Sequence, residues 1–314
     1  MVKYTFLLPA FKPGFFELAL RSIKSQTLKD FKVLVSDDCS PHDLKSIYNK
    51  VCGDDERFCY RRNEVNMGSK SLVSHWNLLV DMCDTEYLIL ASDDDVYEPT
   101  FLEEVDKLAK KYPEVDLIRA RVKLIDGNGN LLEKDALFEE KVTSLEFISQ
   151  LYGNYFFKCI ANFVFKTKKL RDYVGFIDFL LAWHSDSATV IMMGKNGVAN
   201  TKDLFFSFRS SEVNITYGKN SERRSYLKLV ATFMYDRWLK NNLDAISLMF
   251  EETAYKSHLM YFINRYYKTT FETDLYTYIS GVSFWHFVKI TRSTKSLYVN
   301  LNCLYLFLRG KFNR

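Results

Sequence analysis

The stretch Tyr87-Leu88-Ile89-Leu90-Ala91-Ser92-Asp93-Asp94-Asp95 decides how this chain folds: five apolar residues, one serine, then three acids. A short apolar run bounded by polar residues reads as a buried strand. The arrangement recurs upstream. Tyr4 to Leu8 is a strand stopped by Pro9, Phe31 to Val35 leads into Ser36-Asp37-Asp38, and Arg57 to Arg61 forms a shorter strand. Between the strands the apolar residues switch to helical spacing, at Phe16, Leu20 and Ile23, then Leu44, Ile47, Tyr48 and Val51, then Leu72, Trp76, Leu79 and Val80. Ser40 is positioned to cap the second of these helices, with Pro41 in its first turn. Thr100 to Lys111 turns Leu102, Val105, Leu108 and Ala109 inward and ends before Pro113. Alternating strands and helices require right-handed crossovers and a mostly parallel sheet, so the fold class is α/β.

Ligands of such sheets bind beyond the carboxyl ends of the strands. Those ends are Pro9-Ala10-Phe11, Ser36-Asp37-Asp38 and Ser92-Asp93-Asp94-Asp95, and two of the three are acidic. Consecutive carboxylates repel and raise one another's pKa unless something positive meets them. A hard divalent cation, Mg²⁺ or Mn²⁺, does so with one or two carboxylates and substrate phosphates. The plainer alternative is a solvated loop, or acids favouring the positive end of a helix, which suits Asp95 before the helix beyond Pro99. At Asp37-Asp38, a buried carboxylate can accept from a nucleobase or ribose, with helix capping as its alternative.

After residue 115 the pattern changes. Asp126-Gly127-Asn128-Gly129 is a turn between Leu117–Ile125 and Leu131–Leu132, which predicts a hairpin. From about Glu222 the chain is helical, with Leu227, Val230, Met234 and Trp238 on one face, and Leu259, Phe262, Ile263 and Tyr266 repeat the spacing. The expected organisation is a domain over residues 1–218, with halves 1–115 and 116–218, followed by a helical part over 219–314.

Composition excludes several classes. Of 314 residues, 47% are hydrophobic and 26% charged, as in folded globular proteins. A net charge of +4 is too small to argue for nucleic-acid binding. The aromatic content of 16% either lines a carbohydrate or lipid site or fills the core. Six cysteines without CxxC pairs or zinc-like spacing read as reduced thiols of a cytoplasmic protein, although Cys52 and Cys59 are close enough in sequence to bridge. The apolar run at the start is too short for a signal peptide. No stretch reaches the roughly 18 apolar residues of a spanning helix, so any membrane contact is peripheral.

Taken in order, Phe6-Leu7-Leu8-Pro9-Ala10-Phe11, Ser22-Ile23-Lys24-Ser25-Gln26-Thr27, Val35-Ser36-Asp37-Asp38-Cys39-Ser40, Asn66-Met67-Gly68, Glu86-Tyr87-Leu88-Ile89, Ser92-Asp93-Asp94-Asp95 and Pro99 resemble family 2 glycosyltransferases, which are inverting enzymes of GT-A fold. The resemblance covers roughly the first 120 residues. It implies that Pro9, Phe11 and Asp38 hold the nucleotide base, usually uracil. The family's DxD metal ligand falls on Asp94 and its first acidic position on Ser92, a departure that Asp93 or the pair with Asp95 can cover. The general base, which takes the acceptor hydroxyl's proton, corresponds to Asp186 in Trp183-His184-Ser185-Asp186. His184 competes for that role because imidazole titrates near neutrality, while a helix-start acid beside Ser185 is the plain alternative for Asp186.

Phe206-Ser207-Phe208-Arg209 with Asn214-Ile215-Thr216 is similar to the segment closing over the donor. Arg209 there either offsets diphosphate charge or is an ordinary salt-bridged arginine. The resemblance implies a Mn²⁺- or Mg²⁺-dependent transfer from a UDP-sugar to a glycan or lipid-linked acceptor in surface polysaccharide or lipopolysaccharide assembly. A non-catalytic sugar-nucleotide or glycan-binding protein and a metal-dependent nucleotidyltransferase are the other readings. The latter usually carries a glycine-rich phosphate loop, which Pro9-Ala10-Phe11-Lys12-Pro13-Gly14 matches poorly. The basic and aromatic stretch Phe284–Lys289 and the tail Tyr305–Lys311 suit either an interfacial helix on an anionic membrane or a helix docked on its own domain.

Overall fold

The computed structural model describes residues 2–153, 155–212, 214–216, 218–247, 261, 263–293 and 297–312. Ten strands form one sheet: β1 (Tyr4–Ala10), β2 (Phe31–Asp37), β3 (Phe58–Arg62), β4 (Tyr87–Leu90), β5 (Val96–Tyr97), β6 (Leu117–Ile125), β7 (Leu131–Lys134), β8 (Lys141–Val142), β9 (Phe163–Lys166) and β10 (Val198–Arg209). Their order is β3-β2-β1-β4-β9-β6-β10-β5, with β7 on β6 and β8 on β10. The run β3-β2-β1-β4 is parallel throughout, as is β6 with β10. β9 runs antiparallel between β4 and β6, and the predicted hairpin is β6–β7.

Helices α1 (Phe16–Lys24), α2 (Leu44–Cys52), α3 (Leu72–Met82) and α4 (Phe101–Lys111) supply the crossovers. Phe6 of β1 anchors the core, with its ring edge-on to Phe31 and Tyr97 at centroid distances of 5.8 and 5.2 Å. Such pairs add to the burial of two large side chains a favourable quadrupole contact of roughly 0.5–1.5 kcal/mol each.

Two details around the first two strands depart from expectation. Pro9 does not stop β1 but lies within it, opposite Ser36 of β2. β1 pairs with β4 only as far as Leu7 opposite Leu90, and Leu7 presents its carbonyl to Ala91 N on the β4 side. Alternation puts the missing Pro9 N–H on that same side, where β4 has already diverged and no ladder bond is lost. The cap of α2 is Asp43, whose carboxylate accepts from Ser46 N at 3.1 Å. Ser40 lies too far before Leu44 to be the cap; its hydroxyl accepts from His42 N at 3.2 Å and donates to Phe11 O at 2.7 Å, tying the loop after β2 to the loop after β1.

The chain divides into two compact units, one of Met1–Leu151, Tyr155–Asp178 and Ser185–Ser211, the other of Tyr152–Asn154, Phe179–His184 and Glu212–Arg314. The first also contains α5 (Ser144–Tyr152) up to Leu151, α6 (Thr167–Asp172) and α7 (Ser185–Met193). The second is helical, with α8 (Glu222–Asn241), α9 (Leu243–Ser247), α10 (Glu272–Ile279), α11 (Phe284–Ser293) and α12 (Leu297–Phe312).

In α8 the face predicted to be inward is displaced. Ser225, Lys228, Leu229, Thr232, Tyr235, Asp236 and Leu239 are buried, while Leu227, Val230 and Trp238 are half-buried and Met234 is exposed. The buried face is polar because partners in the same unit satisfy it: Thr232 donates to Asp274 at 2.8 Å, and Asp236 accepts from Tyr267 at 2.5 Å and Lys240 at 2.8 Å. Ile263 and Tyr266 are buried as predicted; Leu259 and Phe262 lie outside the described residues. All six cysteines are free thiols.

Candidate active site

The strand order reverses at β1: the chain first builds outward to β2 and β3, then returns to place β4 on β1's other side. This switch point is where open α/β sheets leave a crevice for ligands. Asp93 sits across it. Its Oδ2 accepts from Phe11 N at 2.9 Å and Lys12 N at 2.8 Å, so a side chain takes over where the β1–β4 ladder ends.

The Lys12 ammonium lies 3.1 Å from Asp93 Oδ1 and 2.5 Å from Asp94 Oδ2. Burial alone would lower the Lys12 pKa, but Asp93 and Asp94 more than reverse this and raise it. Ser92 Oγ also donates to Asp94 Oδ1. Burial, then the neighbouring Asp94, pushes the Asp93 carboxyl up against the pull of Lys12. Asp95 is driven well up by the same two causes. Its Oδ1 accepts from Arg209 N at 2.9 Å, while its buried Oδ2 has no hydrogen-bond partner among the described residues.

Asp38 is 4% exposed and holds the segment after β3. Its Oδ1 accepts from Asn63 Nδ2 at 2.8 Å and Met67 N at 2.9 Å, and its Oδ2 from Gly68 N at 2.7 Å. Glycine is needed at 68, since a Cβ there would stand 2.9 Å from that Oδ2. Asp37 closes the turn after β2, accepting from Ser40 N at 2.8 Å, Tyr60 OH at 2.6 Å and Arg62 Nη1. The two acids thus fix the loops around the crevice, and Asp38 Oδ2, with one donor, keeps a lone pair for another. Pro9 and Phe11 lie on the β1 side, and Phe11 is exposed.

Arg209, at the end of β10, spends Nε on Asp94 O at 3.0 Å and Nη1 on Asp126 O and Gly127 O at 3.0 and 3.2 Å. Its guanidinium lies 4.4 Å from the Phe15 ring centroid. These contacts make it the strut that carries the aspartate segment against the β6–β7 turn.

Asp186 stands in the first turn of α7, half-buried, with Ser187 N donating to its Oδ1 at 2.6 Å. The thiol of Cys159 is raised by burial and then by the charges of Asp95, Asp186 and Asp94, so Asp186 and the aspartate segment lie within electrostatic range of one sulfur. His184 belongs to the second unit, where its Nε2 meets Asp274 Oδ2 at 2.9 Å and Thr232 Oγ1 at 3.2 Å. Trp183 Nε1 donates to the same Oδ2 at 3.0 Å. Leu181, Ala182 and His184 all have φ between 54° and 68°. Each left-handed non-glycine residue costs about 1–3 kcal/mol, and such strain collects at functional segments.

The family model described as glycosyl transferase family 2 matches residues 12–174, more than half of the 314. The chain belongs to this family. Asp186 lies beyond the matched segment. An uncharacterized glycosyltransferase of Methanocaldococcus jannaschii is 29% identical over 117 residues, which is 37% of this chain and 39% of that one. The GalNAc(5)-diNAcBac-PP-undecaprenol beta-1,3-glucosyltransferase of Campylobacter jejuni is 26% identical over 182 residues, covering 55% of this chain and 56% of that one. The matches thus span only about four- to six-tenths of those relatives.

Among solved structures, S. aureus TarS 1–349 in complex with UDP-GlcNAc superposes with a TM-score of 0.65 at 16% identity, covering 99% of this chain and 91% of that one. Its complex with UDP gives 0.62 at the same identity, covering 99% of this chain and 90% of that one. At that identity the likeness concerns the fold, which is the GT-A arrangement.

Set against the family expectation, the structure adds Lys12 to the site. Three adjacent acids called for a positive partner, and a lysine two residues past β1 was the signal in the sequence. For a divalent cation the donor chemistry fits: hard carboxylate oxygens, with Asp95 Oδ2 buried and without a hydrogen bond among the described residues. Among the described residues no three His, Cys, Asp or Glu side chains converge as a metal site, so a cation would need further oxygens from its ligand.

Proposed function

We propose that this chain transfers a sugar, with inversion, from a UDP-linked donor to a hydroxyl of a glycan or lipid-linked acceptor, in the assembly of a surface polysaccharide or lipopolysaccharide. The observation that carries the reading is the gathering of Asp93, Asp94 and Lys12 at the β1–β4 switch point, beside the loops that Asp38 fixes. TarS binding UDP-GlcNAc and the undecaprenol-linked acceptor in the Campylobacter enzyme's name support the donor and acceptor classes.

In this reading the base and ribose lie against Pro9, Phe11 and Asp38, where Asp38 Oδ2 accepts from the nucleoside. Lys12 faces the diphosphate and offsets charge as it leaves. Asp94, with Asp95, holds Mn²⁺ or Mg²⁺. When bound, the cation acts as a Lewis acid on the leaving diphosphate. Asp186 accepts the proton of the acceptor hydroxyl as that oxygen attacks the anomeric carbon from the face opposite the departing diphosphate.

Two measurements test this. Thermal shift against a panel of nucleotide sugars, with and without Mn²⁺, should show metal-linked stabilisation by UDP-sugars through mass action. No stabilisation by any nucleotide diphosphate with any metal would end the proposal. The Asp186→Asn variant should keep donor binding and lose turnover by about 10²–10⁴-fold. Unchanged turnover would remove Asp186 as the base.

A further inference from the structure

The C-terminal helices carry a surface that the second unit leaves uncovered. α11 and α12 pack on each other through Phe287 and Phe307, whose rings stack at 4.5 Å. Cys303, Leu306 and Phe307 are the buried face of α12. On the other side of the same helix, Leu301, Leu304, Tyr305 and Leu308 follow the i, i+3, i+4, i+7 spacing of a single stripe. They are exposed by 57, 42, 57 and 43%. Phe284 and Trp285, at the start of α11, are exposed by 60 and 75%. A surface helix ordinarily turns one apolar stripe to its core and polar residues to water. α12 has two apolar stripes, and contiguous exposed apolar surface marks an interaction site.

Charge identifies what the surface meets. After Asp274 the remaining 40 residues contain no acid and six bases: Lys289, Arg292, Lys295, Arg309, Lys311 and Arg314. At the chain's average density a segment of that length would hold about five acids. Lys289, Arg292 and Arg309 are exposed. A second copy docking here by its own equivalent face would oppose one set of positive charges with another. An anionic surface is complemented by them. Among the described residues no helix is long and apolar enough to cross a membrane, and α12 has 16 residues.

We propose that the α11–α12 surface binds an anionic lipid bilayer, with α12 lying in the plane of the interface. Its outer stripe enters the boundary between headgroups and acyl chains, and the flanking lysines and arginines meet lipid phosphates. This stands apart from the transfer reading, since it uses none of the residues at the switch point.

The test is flotation of the full chain with vesicles of phosphatidylcholine alone and of phosphatidylcholine mixed with phosphatidylglycerol. Binding to the mixed vesicles should exceed that to neutral ones by about tenfold or more and weaken as salt rises above about 0.1 M. The triple variant Leu301→Ser/Leu304→Ser/Leu308→Ser and the charge variant Arg292→Glu/Arg309→Glu should each lose about tenfold in vesicle binding. Both alter exposed side chains, so their melting temperatures should stay at the wild-type value. Equal binding to neutral and anionic vesicles, or wild-type binding by both variants, would overturn the proposal. So would sedimentation equilibrium showing a dimer that the triple variant abolishes, which would assign the surface to a second copy.

Discussion

Asp38→Asn replaces one carboxylate oxygen by an NH₂ group and leaves shape and volume almost unchanged. Three donors converge on that carboxylate from Asn63, Met67 and Gly68, all within 2.9 Å. A hydrogen bond to a charged group contributes about 1.5–3 kcal/mol and a neutral one about 1 kcal/mol. With its oxygen toward Asn63 and Met67, the amide keeps two bonds at neutral strength, a loss of about 1 kcal/mol each.

Its nitrogen then faces Gly68 N, donor against donor. That forfeits a charged bond and strands a half-buried N–H, together about 2 kcal/mol. Turning the amide over strands two donors instead of one. His75 Nδ1, 3.8 Å from Asp38 Oδ2, is too distant to accept from the new amide. The sum is a loss of about 4 kcal/mol against a typical total stability of 5–15 kcal/mol. For a unit of this size it lowers Tm by about 8–16 °C. Urea unfolding measures it directly, with an unchanged m value showing that the native state stays compact. A loss below about 1 kcal/mol would refute the assignment of Asp38 as the clamp of the segment after β3.

The remaining predictions concern other parts of the molecule. The Asp95 carboxyl is raised well above 3.8 in the fold, so the folded state holds its proton longer than the unfolded chain and stability falls as pH rises through that window. Asp95→Asn should therefore raise Tm at pH 7, by roughly 2–6 °C in a pH-resolved melt, while removing metal-linked donor binding. Asn77 clamps the turn after α6 in both directions, accepting from Phe176 N at 2.7 Å and donating to Phe176 O at 2.9 Å. Asn77→Ala should cost about 2–4 kcal/mol in urea unfolding. Gly175→Ala should destabilise as well, because φ there is +84° and its Cβ would stand 2.4 Å from Asn77 Oδ1. Burial opposes ionisation of Asp274, but the contacts with His184, Trp183 and Thr232 together outweigh it and hold the carboxyl below 3.8. The stability it contributes is present above that value and lost as pH falls through the lowered pKa. Asp274→Asn should thus destabilise at pH 7, and the difference should shrink in unfolding measured at progressively more acidic pH.

What could be read in the sequence follows from range. β1, β2 and β4 are apolar runs, so local pattern alone locates them, and their ends bring Asp38 and Asp93–Asp95 to the crevice. The partners of those residues come from afar: Lys12 meets Asp94 across 82 positions and Arg209 meets Asp95 across 114. Nothing local announces Asn77 beside Phe176 or Asp274 beside His184, 99 and 90 positions apart. The cap at Asp43 was missed for a different reason. Ser40 has the right chemistry for a cap, and its Oγ does accept from His42 N at 3.2 Å, but the helix begins only at Leu44, so the cap position falls to Asp43. In α8 the apolar period pointed to Met234, whereas the buried face carries Lys228, Thr232 and Asp236, whose polarity hides them from a hydrophobic count.

The double duty of Asp93 limits how this site can change. By accepting from Phe11 N and Lys12 N, its side chain stands in for the next rung of the β1–β4 ladder. Exchanging it for a residue without an acceptor would open the two central strands at the mouth of the crevice, whatever its part in the chemistry. Mutational scans at Asp93 will therefore report loss of fold and loss of turnover together. Asp94 and Lys12 are the positions at which the two can be told apart.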